Sequence, residues 1–319
     1  MISFRYHIFT IVAIFLAVGL GLLFGSSVVQ PALIEELENQ ANQLTQDLSD
    51  TRAEVSDLKA QVEDLQEAGD ILPSLDPGTL SGRSVVVVTH EDVDPGLLSQ
   101  ARQSLSEAGV QVVAELSITD RMADPDEPSR EVLAQLLEMA SDTETPTLQV
   151  RAAEVLAQRL AVGGSRRAVS ASGSDILDDF LTANFLTTSS GSPSISRGDL
   201  PGIGGKGQLT IVLSGGQGEP RVDPELFFVP LVEGLVQRGA TVGAGESAST
   251  DYPFIPALRA EGAAADGSPD RTPMVTVDDL DLSVGGAALV LGLERLLFLG
   301  QGGNYGIKAG ATAPLPSLT

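Results

Sequence analysis

Few side chains in this chain could do chemistry. It has two histidines, His7 and His90, and no cysteine. A thiolate metal site, a cysteine nucleophile and a disulfide framework are therefore all excluded. His90 opens the run His90-Glu91-Asp92 with Asp94 close behind, directly after the apolar stretch Ser84–Thr89. One imidazole and three carboxylates at the end of a strand could contact a divalent metal. The plainer alternative is a solvated acidic loop. Asp278, Asp279 and Asp281 form a second acidic run just before an apolar helix pattern, where acids suit the positive end of the helix dipole.

Two glycine-rich stretches resemble phosphate loops by their letters. Gly202-Ile203-Gly204-Gly205-Lys206-Gly207 matches G-x-G-x-x-G, but it precedes a strand instead of following one, so it is expected to be a surface loop. Ser214-Gly215-Gly216-Gln217-Gly218 does lie between a strand and a helix. Glu219 and Asp223 would repel a phosphate there, and no Lys-Ser/Thr pair follows, so a plain turn is expected. A hydrolytic triad would have to use His90, and no G-x-S-x-G elbow accompanies it. These residues give no support to an enzyme.

Composition narrows the classes further. The 319 residues suffice for one or two domains with a real core. With 43 acidic against 19 basic residues the net charge is −24, which excludes a nucleic-acid partner and argues against adhesion to anionic lipid.

The elements that would carry these residues follow from patterning. Residues 8–29 contain no charge and are long enough to span a bilayer core. Arg5 precedes this segment and Glu35, Glu36 and Glu38 follow it. The positive-inside rule puts residues 1–7 in the cytoplasm and the main domain outside it. A cleaved signal peptide would have a shorter apolar region and an A-x-A-like site. Residues 31–68 read as a coiled coil, with an unbroken heptad over 34–65 that places Ile34, Leu48, Val55 and Val62 among the a positions and Leu37, Leu44, Leu58 and Leu65 among the d positions. β-branched residues at a with Leu at d favour a parallel two-stranded coil, either a homodimer or a pair with another coiled-coil partner. Asp47 opposite Arg52 and Glu54 opposite Lys59 suit the parallel homodimer. The alternative is a helix packed on its own domain. Residues 69–82 read as a linker.

Residues 83–300 read as an extracytoplasmic α/β domain. Continuous apolar runs at Ser84–Thr89 and Leu209–Ser214 suit strands buried on both faces of a parallel sheet. Asp94-Pro95 and Asp223-Pro224 start helices, with Pro230 expected to kink or break the second. Further strands are expected at 110–116, 240–244 and 274–277, and helices near 127–140, 147–162, 175–186 and 284–298. The fold class is α/β, Rossmann-like: a mostly parallel sheet with covering helices. Residues 189–207 and 262–272 read as loops, and 301–319 as a flexible tail.

The start MISFRYHIFTIVAIFLAVGLGLLFGS and the C-terminal stretch TVDDLDLSVGGAALVLGLERLLFLGQGGNYG resemble the actinobacterial MctB-like copper transporter family. The resemblance implies a role in copper homeostasis or copper transport across the outer envelope. Copper enters by resemblance alone, and no other cofactor is expected. Members are also linked to cell separation, where coiled-coil partners in the envelope control a peptidoglycan hydrolase. That implies the alternative of a non-enzymatic scaffold. Past the anchor the soft or imidazole donors are His90, Met122, Met139 and Met274, far apart in sequence, which predicts weak copper binding.

Overall fold

A computed structural model describes residues 6–24, 78, 80–164, 174–188, 195, 198–260 and 274–317. The coiled-coil reading over 31–68, with all of its seam residues, lies outside the described residues. The chain divides into two units, Met1–Glu63 and Asp64–Thr319. In the first, helix α1 (Tyr6–Phe24) is long and apolar enough to cross a membrane. Its apolar side chains, Phe9, Phe15 and Leu22 among them, are exposed on every side of the helix.

The second unit is built outward from β1 (Ser84–His90). Its side chains alternate across the strand, and both faces are buried. Val86 and Val88 enter one core, while Val85 and Val87 enter another. A run of four valines is therefore apolar throughout because helices cover both sides of the sheet. The other strands are β2 (Gln111–Ile118), β3 (Leu186–Thr188), β4 (Leu209–Leu213), β5 (Thr241–Gly245), β6 (Val275–Val277) and β7 (Gly303–Tyr305). They form an open sheet in the order β3-β2-β1-β4-β5-β6-β7. Every neighbouring pair is parallel except β2 with β3.

Helices α2 (Pro95–Glu107) and α9 (Ser283–Leu299) cover one face. On the other face lie α3 (Asp120–Ala123), α4 (Glu127–Leu136), α5 (Thr145–Val162), α6 (Ile176–Thr182), α7 (Pro224–Gln237) and α8 (Ile255–Ala260). The starts are set locally. Asp94 Oδ1 accepts from the Gly96 N–H at 2.8 Å, and Asp223 Oδ1 from the Glu225 N–H at 2.9 Å, each with proline at the first helical position. Such a cap contributes about 1 kcal/mol.

Several expectations need correction. Of the kink or break expected at Pro230, the break does not occur: helix α7 is continuous through it. Proline removes one backbone bond, but Phe227, Phe228, Leu231 and Leu235 on either side are fully buried and hold the helix by packing. The helix expected over 175–186 stops at Thr182, Asn184 turns the chain at φ 57°, and β3 follows antiparallel to β2. The tail after 300 is not loose through residue 317. It supplies the edge strand β7, with Tyr305 and Leu315 buried, so the domain extends well past the expected boundary.

The G-x-G-x-x-G stretch docks on α5. A side chain at Gly204, whose φ is +81°, would run into the Leu160 backbone. The loop is also held by Arg159, which has no exposed surface. Arg159 donates to Leu200 O at 2.8 Å and Ile203 O at 2.7 Å, and pairs with both oxygens of Asp175 at 2.6 and 2.7 Å. Removing one partner of a buried ion pair typically costs about 3–5 kcal/mol. Arg159→Met is therefore expected to lower stability by roughly that amount, read as a drop in the urea midpoint. An unchanged midpoint would show that the loop does not depend on this anchor.

Candidate functional site

The strand order reverses between β1 and β4. In open α/β sheets ligands bind outside the carboxyl ends of the strands at such a point. Here those ends bring together His90, the last residue of β1, and Ser214, the residue after β4. His90 Nε2 lies 3.4 Å from Ser214 Oγ. The imidazole packs between Phe228 and Tyr252, with ring centroids 5.6 and 5.9 Å away. It is 3% exposed, and its Nδ1 meets no hydrogen-bond partner among the described residues. Burial pushes its pKa from 6.5 down to about 4, so at neutral pH the ring is uncharged.

The other members of the sequence cluster point elsewhere. Glu91 and Asp92 are exposed in the turn. Asp92 pairs with Arg221 at 2.8 Å, and Arg221 also pairs with Asp120. Asp94 is committed as the cap of α2, and its Oδ2 accepts from Ser247 Oγ at 3.0 Å. His90, Glu91, Asp92 and Asp94 are thus neighbours in sequence with separate tasks. Among the described residues no group of three or more His, Asp or Glu is placed to hold a metal ion.

The glycine turn after β4 is filled by the chain itself. The Gly216 N–H donates to Thr250 Oγ1 at 3.0 Å, and the Gly218 N–H to Asp251 Oδ2 at 2.7 Å. Gln217 Nε2 donates to Ser249 O at 2.6 Å, and a side chain at Gly216 would strike the Tyr252 hydroxyl. In a phosphate-binding loop such N–H groups face an anion. Here a carboxylate and a hydroxyl from residues 250–251 occupy them.

Sequence reasoning missed the most charged part of this edge. Glu246 follows β5 and has no exposed surface. Its Oε2 accepts from the Phe254 and Ile255 N–H groups at 2.7 and 2.9 Å, and its Oε1 from Lys308 Nζ at 2.9 Å. Burial raises its pKa, opposed by Lys308 and those N–H donors. Asp278 follows β6 and is equally buried. It accepts from Arg259 at 2.5 Å and from the Ile307 and Lys308 N–H groups at 2.7 and 3.0 Å. Arg259 also donates to Tyr305 O at 2.8 Å. The one signal in the sequence was the Asp278-Asp279-Asp281 run; Glu246, Arg259 and Lys308 carry none. The three described methionines are packing residues. Met122 and Met274 are fully buried in one apolar core, and Met139 packs against it.

The buried imidazole makes a pH prediction. His90 has a folded pKa below its ordinary value, so its contribution is fully present above about pH 6.5 and is lost as pH falls toward about 4. The amount at stake is on the order of 3 kcal/mol. Nuclear magnetic resonance is expected to show His90 titrating near 4. His90→Gln should lose that acid-side share of the urea-midpoint dependence relative to the parent chain. A midpoint near 6.5 would show a hydrated ring.

The whole chain has relatives. Residues 1–316 match the family described as "Copper transport outer membrane protein, MctB". Copper transporter MctB of Mycobacterium leprae (strain TN) is 27% identical over 98% of this chain and 98% of its own. Neither match supports the cell-separation alternative. A match that runs from the apolar N-terminal helix through the edge strand β7 makes this chain a member of the MctB family.

Proposed function

We propose that this protein acts in copper transport or copper homeostasis as a membrane-anchored envelope protein, with copper as its cargo. The observation that carries this reading is the family match over residues 1–316, joined by a relative named as a copper transporter. The apolar helix α1 supports the anchor. We place the N-terminus in the cytoplasm and the α/β domain outside it, from Arg5 before the anchor and Glu35, Glu36 and Glu38 after it. The domain is proposed to be non-enzymatic and to lack a tight copper site of its own. Cu(I) favours thiolate and thioether ligands. The chain has no cysteine, and its three methionines beyond the anchor lie in or against one apolar core. His90 offers a neutral imidazole, but among the described residues its Nε2 has only Ser214 beside it.

Deletion of the gene tests the copper role. The expected result is hypersensitivity to copper with normal cell separation, reversed by the intact chain. Unchanged copper tolerance would overturn it.

The seam of the coil is proposed to be Ile34, Leu37, Leu44, Leu48, Val55, Leu58, Val62 and Leu65, in a parallel homodimer or with a coiled-coil partner. Burying one such side chain contributes about 1.5–3 kcal/mol, against about 0–1 kcal/mol for an exposed pair such as Glu54 with Lys59 of the second chain. Leu58→Glu is expected to dissociate the detergent-solubilised full chain in analytical ultracentrifugation, while Lys59→Ala leaves its mass unchanged. A dimer that survives Leu58→Glu would place the seam elsewhere.

A further inference from the structure

The connection from β5 to α8 is pinned at both ends. At the near end the Ser247 hydroxyl donates to Asp94 Oδ2 at 3.0 Å, Lys308 Nζ donates to Ser247 O at 2.7 Å, and the Ala248 N–H donates to Asp281 Oδ1 at 2.7 Å. At the far end the Phe254 and Ile255 N–H groups donate to Glu246, which also takes Lys308. One buried carboxylate thus ties the two feet together, and residues 249–253 bridge them.

The bridge is held differently. Among the described residues, every hydrogen bond from 249–253 to the rest of the chain ends on the glycine turn. Ser249 O accepts from Gln217 Nε2, Thr250 Oγ1 from the Gly216 N–H, and Asp251 Oδ2 from the Gly218 N–H. In return the Thr250 hydroxyl donates to Gly216 O at 3.2 Å and the Asp251 N–H to the same oxygen at 3.0 Å. Ser249, Asp251 and Pro253 are exposed, whereas Tyr252 is buried with its ring against His90.

What the bridge covers is polar. Beneath it lie the His90 imidazole, with Nδ1 unpartnered among the described residues, the Ser214 hydroxyl and the N–H groups of Gly216 and Gly218. They stand where the strand order reverses, the place at which an open α/β sheet takes ligands. Of the two aromatic rings that enclose His90, Phe228 belongs to α7 and is fully buried in the apolar core. Tyr252 belongs to the bridge, so it is the ring that can move without opening that core. Segments held by a few surface hydrogen bonds open locally at lower cost than core strands. We propose that residues 249–253 are a lid that lifts on its fixed feet and uncovers His90, Ser214 and the glycine turn while the sheet stays folded. The lid does not depend on the identity of the cargo.

Hydrogen exchange and histidine acylation of the detergent-solubilised full chain at neutral pH test the lid. Lifting it frees the amides of Gly216 and Asp251 but not those of Phe254 and Ile255 in its foot or of Ile211 and Val212 in β4. In the unaltered chain the first pair is expected to exchange through an opening at least about tenfold more populated than the one that frees the others. Diethylpyrocarbonate should acylate His90, resolved from His7 by peptide mass mapping, at a rate that follows the same opening. Asp251→Ala removes the bond to Gly218 and should raise Gly216 exchange and His90 acylation together, by on the order of tenfold, with Phe254 and Ile255 unchanged. Exchange of all these amides through one shared opening in the unaltered chain would overturn the lid, whether or not the variant folds. So would faster Gly216 exchange in Asp251→Ala without a gain in His90 acylation.

Discussion

Two carboxylates without exposed surface, Glu246 and Asp278, sit at the ends of neighbouring strands, and the C-terminal half of the domain is arranged to satisfy them. A buried charge is tolerable only when paired and hydrogen-bonded. Glu246 takes the first N–H groups of α8 and the ammonium of Lys308. Asp278 takes Arg259 from α8 and the backbone just beyond β7. Meeting those demands fixes α8 beside β5 and β6 and draws the chain after α9 back onto the sheet. Thr276 and Asn304, joined at 2.8 Å, add a buried polar link between β6 and β7. The final strand of the sheet is thus held by polar partners as well as by the buried Tyr305.

What was legible from sequence follows the range of each interaction. The valine run of β1, the LTIVLS run of β4 and the two Asp-Pro helix starts are short-range signals, and the structure places them where patterning did. Strands β3 and β7 span three residues each. Leu-Thr-Thr and Gly-Asn-Tyr have no period to read, so they become strands only through long-range pairing. The break that Pro230 would favour was overridden in the same way, by burial of the helix around it. At the site, the location of His90 at a strand end was legible, but its burial under Phe228 and Tyr252 was not. Glu246 and Lys308 are 62 residues apart, and no local pattern joins them.

The carboxyl edge is where this kind of sheet normally meets a ligand, yet most of its polar groups are spent on holding the chain together. Residues 249–252 fill the glycine turn, Asp94 and Asp223 cap the two flanking helices, and Arg221 bridges Asp92 and Asp120. The exceptions among the described residues are the Thr89 hydroxyl and two titratable groups, His90 and Asp279, each buried with polar atoms that lack a partner. The pKa values of His90 and Asp279 move in opposite directions, toward neutral imidazole and neutral carboxyl, because burial disfavours the charged form of each. The proposal that this chain of the MctB family handles copper without gripping it rests on Met122, Met139 and Met274 lying in or against one apolar core.

The most direct test of that claim is the fate of copper on the purified full chain. Copper should come away on desalting in the presence of a mild chelator, and X-ray absorption of the loaded sample should show only light oxygen or nitrogen neighbours without a sulfur shell. Retention of stoichiometric copper, with sulfur in its coordination shell or with an imidazole signal lost on His90→Ala, would contradict it.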